Sequence, residues 1–207
     1  MAARLRLLVP VVLAATAFSV PAANAGLISG LVNVVLPTCG TTVYPFAQFG
    51  DRNAYYALPN NGFESGSTGW SLSGNAAVGS GNEPWYVNGR GASSLALGPG
   101  ASATSPAVCI NLLDPFFRMF AKSASANGNL QVQIIFRGLT GNLTGLLNYG
   151  SLSPSGYGSW QPTSTVPSLL ALPLGTTSAQ MRVTSTASSG TWQIDDVFVD
   201  PCVVRIG

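Results

Sequence analysis

An antiparallel two-sheet β-sandwich, all-β and in a single domain, is the fold this sequence predicts. Three observations carry that reading. Short runs alternate apolar and polar residues with period two, Gly, Ser and Asn clusters separate them, and no useful helical stripe follows residue 25. At 207 residues the chain is long enough for one real core. An apolar share of 46% against 8% charged residues argues against disorder. The 24 glycines and 14 prolines fit many turns, hence many short strands.

Residues 1–25 read as a secretory signal peptide. Arg4 and Arg6 form its basic region, Leu7–Val20 its apolar region and Ala23-Asn24-Ala25 its cleavage site. The apolar run is interrupted by Pro10 and Pro21 and is short for a spanning helix. The mature chain is therefore expected to be extracellular or at the cell envelope, with no membrane span after cleavage. Residues 26–38 form an apolar arm, with one strand expected at Leu31–Leu36, and the sandwich occupies 39–207.

From Cys39 to Asn61 the chain is irregular and aromatic, and Tyr44, Phe46, Phe49, Tyr55 and Tyr56 are expected to pack as core and lid. Strands are expected from Gly69, at Ala76–Val78, Ser93–Leu97 and Ala107–Leu112. In Phe116–Ser123, Arg118 and Phe120 share one face while Phe117, Met119 and Ala121 share the other. Leu130–Arg137 alternates cleanly, with Leu130, Val132, Ile134 and Phe136 opposite Gln131, Gln133, Ile135 and Arg137. The stretch Gly138–Gly158 reads as a long hairpin or loop, and Ser168–Leu172 as one helical turn. In Gln180–Ser185, Met181 and Val183 oppose Gln180, Arg182 and Thr184, and Trp192–Val199 is the last strand.

The formal charge is +2, and removal of Arg4 and Arg6 leaves seven basic against seven acidic residues. Such a chain lacks the basic footprint that nucleic acid requires. It has no histidine. That removes the commonest general base and every Ser–His or Cys–His nucleophile pair. A glycosidase needs two carboxylates across a sugar-sized gap. Glu64 with Glu83, or Glu64 with Asp195, is a weak match to that pattern, so the chain reads as no enzyme. Three cysteines, Cys39, Cys109 and Cys202, follow the signal peptide, and an oxidising compartment pairs two of them without the residues choosing which.

Two runs carry more information. Asn61-Gly62-Phe63-Glu64 precedes Gly69-Trp70, and Trp192-Gln193-Ile194-Asp195-Asp196-Val197 closes the domain. Together they resemble the ends of carbohydrate-binding modules with the galactose-binding-like jelly-roll fold, although the Asp usual between Gly62 and Phe63 is missing. The resemblance extends to a group of uncharacterised secreted bacterial proteins. It runs through Phe49-Gly50-Asp51, Asn82-Glu83-Pro84, Ser94-Leu95, Cys109, Arg118 and Trp160-Gln161-Pro162, from about Cys39 to Pro201. Those proteins carry cysteines near Cys39 and Cys109, so the resemblance implies the pair Cys39–Cys109.

In such modules the first and last strands are neighbours. Glu64, Asp195 and the Asn61–Gly62 turn are then expected to converge on a structural calcium ion, which takes six to eight oxygen ligands. Alternation puts Asp195 on the buried face of Val197 and Val199, and Asp196 outward with Ile194 and Phe198. A glycan or envelope polysaccharide is the partner the resemblance implies. Trp85 and Tyr86 are its candidate stacking platform, with Tyr149 and Tyr157 as second candidates. Arg118, Gln131, Gln133 and Arg182 are candidates for a polar groove if their strands are adjacent. The alternative is a structural or adhesive envelope protein of the same fold without a sugar ligand.

Overall fold

The computed structural model describes residues 40–110, 116–164 and 173–200. The signal peptide, the arm with its strand, the turn at Ser168–Leu172, Cys39 and Cys202 lie outside them. Among the described residues the structure is two antiparallel sheets, as the alternation predicts, and no helix is long and apolar enough to cross a membrane.

Sheet A contains β1 (Thr42–Val43), β2 (Tyr55–Ala57), β4 (Ala76–Ser80), β5 (Ser93–Leu97), β8 (Phe116–Ala124), β11 (Gln161–Pro162) and β13 (Thr191–Asp200). Its centre is β13. Strand β8 pairs along its whole length, while β5 meets Trp192–Ile194 and β2 meets Phe198–Val199. Sheet B contains β3 (Ser71–Ser73), β6 (Ser102–Thr104), β7 (Val108–Cys109), β9 (Leu130–Gly138), β10 (Leu143–Leu152) and β12 (Thr176–Ser185). It runs β10-β9-β12-β6-β3, with β7 also beside β12. The stretch read as a hairpin or loop is thus a hairpin, and its second arm is the edge strand β10. Cys109, in β7, is disulfide-bonded.

The main core fills the space between the sheets. Sheet A contributes Phe117, Met119, Trp192, Ile194, Val197 and Val199, and sheet B contributes Leu130, Val132, Ile134, Phe136, Met181 and Val183. Each fully buried side chain of this size contributes about 1.5–3 kcal/mol. The indole of Trp192 donates to the Gly128 carbonyl at 2.8 Å, so its polar atom is satisfied inside the core.

A second core lies on the opposite face of sheet A. Phe46, Tyr55, Phe120 and Phe198 are buried there, with Phe49, Trp85 and Trp160 packed against them. This is the lid that the aromatic segment predicts, formed by Phe46, Phe49 and Tyr55, whereas Tyr56 joins the main core and Tyr44 is exposed. Arg118 fastens it: the guanidinium pairs with Asp51, donates through Nε to the Thr163 carbonyl at 2.6 Å and lies 4.1 Å from the Phe46 ring centroid. Tyr55 donates its hydroxyl to the same Asp51 carboxylate.

Strand β13 departs from the expected alternation. Asp195 pairs with Phe120 and Phe198 with Arg118, so two residues, Asp196 and Val197, oppose the single Met119. That is a β-bulge, and Asp196 takes the left-handed conformation at φ 45°. Asp tolerates this conformation better than most residues. The extra residue inverts the faces: Ile194, Val197 and Val199 all join the main core, while Phe198 joins the second. The expectation that Asp195 shares a face with Val197 and Val199 is corrected by this bulge.

Phe120 is fully buried and its ring contacts Phe46, Phe49 and Trp85. Phe120→Ala is expected to lower the unfolding free energy by about 3–5 kcal/mol. Urea titration measures this, and a loss below about 1 kcal/mol would mean the second core is not a packed unit.

Candidate functional site

Two places concentrate polar chemistry. The first is a buried carboxyl cluster on the lid side of sheet A. Glu83 and Asp195 are fully buried and Asp196 nearly so. The Glu83 amide donates to Asp195 Oδ2 at 3.0 Å, and the Asp196 amide donates to Asp195 Oδ1 at 2.9 Å. Glu83 closes its own loop, accepting the amides of Trp85 and Val87. The Asn61–Gly62 turn packs against this group. The Asn61 carbonyl accepts the Val197 amide at 3.2 Å, and its side-chain oxygen accepts the Asn88 amide group at 2.7 Å. A Cβ on Gly62 would sit 2.9 Å from Asp196 Oδ1, so glycine is what allows the turn this close. The two sequence runs therefore do meet, through Asn61 and Gly62.

Glu64 has other partners. Its Oε1 accepts the amides of Ala92 and Ser93, both at 2.8 Å. Besides its neighbour Asp196, the acid that hydrogen-bonds Asp195 is Glu83, 112 positions away in sequence. Asp195 spends both carboxyl oxygens on backbone amides, as Glu83 does. Asn61 turns its unpartnered Nδ2, a donor, into the protein. Among the described residues, no group of three His, Cys, Asp or Glu side chains is arranged to hold a metal ion. The expected calcium set of Glu64, Asp195 and Asn61 is thus divided, Glu64 accepting from the Ala92 and Ser93 amides and Asp195 from those of Glu83 and Asp196.

No arginine or lysine pairs with the cluster among the described residues, where Arg118–Asp51 is the one ion pair. Burial, reinforced by the Asp196 charge, pushes Asp195 up to about 8 against the pull of its two amide donors. Asp196 is raised by burial and then by the charge of Glu83, with Asn88 opposing.

The second place is the outer face of sheet B. Cross-strand registers put Asn148, Gln133, Arg182, Thr104 and Ser71 in one row across the sheet. The next row is Ser151, Gln131, Thr184, Ser102 and Ser73. Gln133 donates to Asn148 at 2.8 Å, and Arg182 Nε donates to Thr104 at 3.3 Å. A recess of about 490 Å³ is lined by Gln131, Gln133, Asn148 and Ser151, with Val132 and Gly150. Asn148 and Ser151 were not singled out in the sequence, because β10 lies in the glycine-rich stretch whose alternation is weak.

The structure brings Gln131, Gln133 and Arg182 together on this face and leaves Arg118 in the other sheet, under the lid. The candidate aromatic residues are dispersed. Trp85 is partly buried, edge-on to Phe49 with centroids 5.0 Å apart. Tyr86 is exposed, with the Arg90 guanidinium 5.6 Å from its ring centroid. Tyr149 and Tyr157 pack against the main core, and burial raises the Tyr157 hydroxyl above its ordinary value.

No protein-family model and no curated protein sequence matches this chain. Solved structures do. The enzymatically active domain of tailspike protein 4 of bacteriophage CBA120 matches with TM-score 0.54 and 16% identity, over 70% of this chain and 21% of that one. The chain thus spans about a fifth of that tailspike's length. The likeness is one of fold. TmCBM61, solved with β-1,4-galactotriose, matches with TM-score 0.44 and 19% identity, over 72% of this chain and 98% of that one. The CBM22-1 xylan-binding domain of Paenibacillus barcinonensis Xyn10C matches with TM-score 0.45 and 17% identity, over 70% and 94%.

The raised carboxyls make a pH prediction. Asp195 and Asp196 hold protons more tightly folded than unfolded. Their contribution is fully present below about pH 4, the unfolded carboxylate range, and is lost as pH rises. For Asp195 that loss runs up to about pH 8. The thermal midpoint is expected to fall between pH 5 and pH 8, and Asp195→Asn to flatten the fall. A wild-type midpoint that is flat over this range, or that rises on adding calcium at pH 8, would return the cluster to the metal role.

Proposed function

We propose that the chain is an exported, non-catalytic glycan-binding protein whose ligand lies across the outer face of sheet B. One observation supports this above the others: two polar rows cross the whole sheet opposite the core, beside a recess of about 490 Å³. Gln, Asn, Ser and Thr side chains both donate and accept, which matches the dual character of sugar hydroxyls. Arg182 adds a planar donor fork. Export rests on the N-terminal pattern Arg4, Arg6, Leu7–Val20 and Ala23-Asn24-Ala25. The disulfide proposed is Cys39–Cys109.

The placement of the acids supports a non-catalytic role. Glu83, Asp195 and Asp196 are sealed beneath the lid, Asp51 is paired with Arg118, and Glu64 is held by backbone amides. None of these carboxyls faces another across an open cleft of the kind hydrolysis requires.

A glycan array that includes xylan and β-1,4-galactotriose tests the reading. Binding is expected to weaken at least tenfold in the double variant Gln133→Ala/Arg182→Ala and to persist in Tyr86→Ala. A ligand lost only in Tyr86→Ala would move the site to the loop after β4. A blank from folded protein would leave the structural or adhesive envelope role in front.

A further inference from the structure

A second cavity lies on the other side of β10 from the polar recess. It has a volume of about 310 Å³ and is lined by Phe117, Met119, Val132, Tyr149, Leu152 and Met181 among others. Phe117 and Met119 come from sheet A, and Val132 and Met181 from sheet B, so the cavity lies between the sheets. Its volume is about twice the ~150 Å³ that holds a benzene in an engineered apolar cavity. Its wall is mainly apolar, with Ser151, Thr163 and Ser164 as its polar side chains besides the Tyr149 hydroxyl. The two methionines at its wall are soft and adapt to ligands of varied shape.

The cavity and the polar recess share Val132, Gly150 and Ser151. That shared border is a β-bulge. Asn148 pairs with Gln133 and Gly150 with Val132, which leaves Tyr149 as the extra residue. Gly150 takes φ 146°, a conformation side chains rarely adopt, and no atom lies within 4 Å of where a Cβ would point. Backbone without a side chain therefore stands between a polar surface and an apolar one, on a strand that is the edge of sheet B among the described residues.

We propose that the inter-sheet cavity binds a small apolar group, an aryl ring or short acyl chain, carried by the ligand whose polar part lies on the outer face of sheet B. Only the polar half of that ligand rests on the glycan reading. The substrate class is then a glycan bearing an apolar substituent, or a small glycoside, and an unadorned polysaccharide would use half of the site.

Met119 and Met181 are the only methionines after Met1, and both line the cavity. The test is a titration of the exported protein, labelled with ¹³C-methyl methionine, with benzyl alcohol. Both methyl signals are expected to shift saturably and together. Val132→Phe, which fills the cavity, and Leu152→Phe, at its partly buried wall, are each expected to weaken that binding at least tenfold. Folding of each variant is checked by its β-sheet circular dichroism. Absence of saturable shifts, or equal binding in both folded variants, overturns the cavity site even if the glycan array is positive. Saturable shifts with a blank array keep the apolar site and remove the glycan reading.

Discussion

The bulge in β13 is the constraint on which the rest of the molecule depends. A strand crossing the centre of sheet A would place Ile194 and Val197 on opposite faces if it kept period two. One extra residue puts both into the main core, while Asp195, just before it, faces the lid side by plain alternation with Ile194. The extra residue also divides one edge of β13 between two partners, β5 before the bulge and β2 after it. The lid segment enters through β2, so the position of Phe46, Tyr55 and Asp51 over the sheet follows from that division. The buried carboxyls are the local consequence of covering Asp195 on that side.

Sheet A is consequently covered on both faces. Its inner face holds the main core and its outer face holds a second one, fastened by Arg118 and Asp51. Among the described residues sheet B keeps one face open, and that face carries the polar rows. This asymmetry separates stability from recognition: buried ionisable groups lie under the lid, and accessible hydrogen-bonding groups lie across the sandwich from them. It also explains why most of the candidate aromatic residues are poor stacking surfaces, Tyr86 being the exposed exception. Trp85 and Trp160 serve the second core, while Tyr149 and Tyr157 serve the first.

Much of the fold was legible in local pattern. Leu130–Arg137 showed which residues enter the core and which face the other way, because an unbroken strand obeys period two, although Ile135 is buried on the side of Gln131 and Gln133. The two faces of β8 were legible for the same reason. The bulge was not, since one added residue inverts every face beyond it and leaves no compositional mark. Strand order was not legible either. Arg118 shares its polar character with Gln133 and Arg182, yet β8 pairs with β13 and β11 and never with β9. The partner of Asp195 was hidden for a related reason: the sequence shows seven acids, but only the approach of the Glu83 loop to β13 decides which two meet.

The most direct measurement is the titration of the Asp195 and Asp196 carboxyl carbons by ¹³C NMR, with Asp195→Asn and Asp196→Asn assigning the signals. Burial beside the Glu83 loop and the Asp196 charge predicts that Asp195 loses its proton only near pH 8, far above an ordinary Asp. Two carboxyls that titrate near pH 4 in calcium-free buffer would contradict the account. They would mean that water or a cation reaches β13 and that the lid does not seal sheet A.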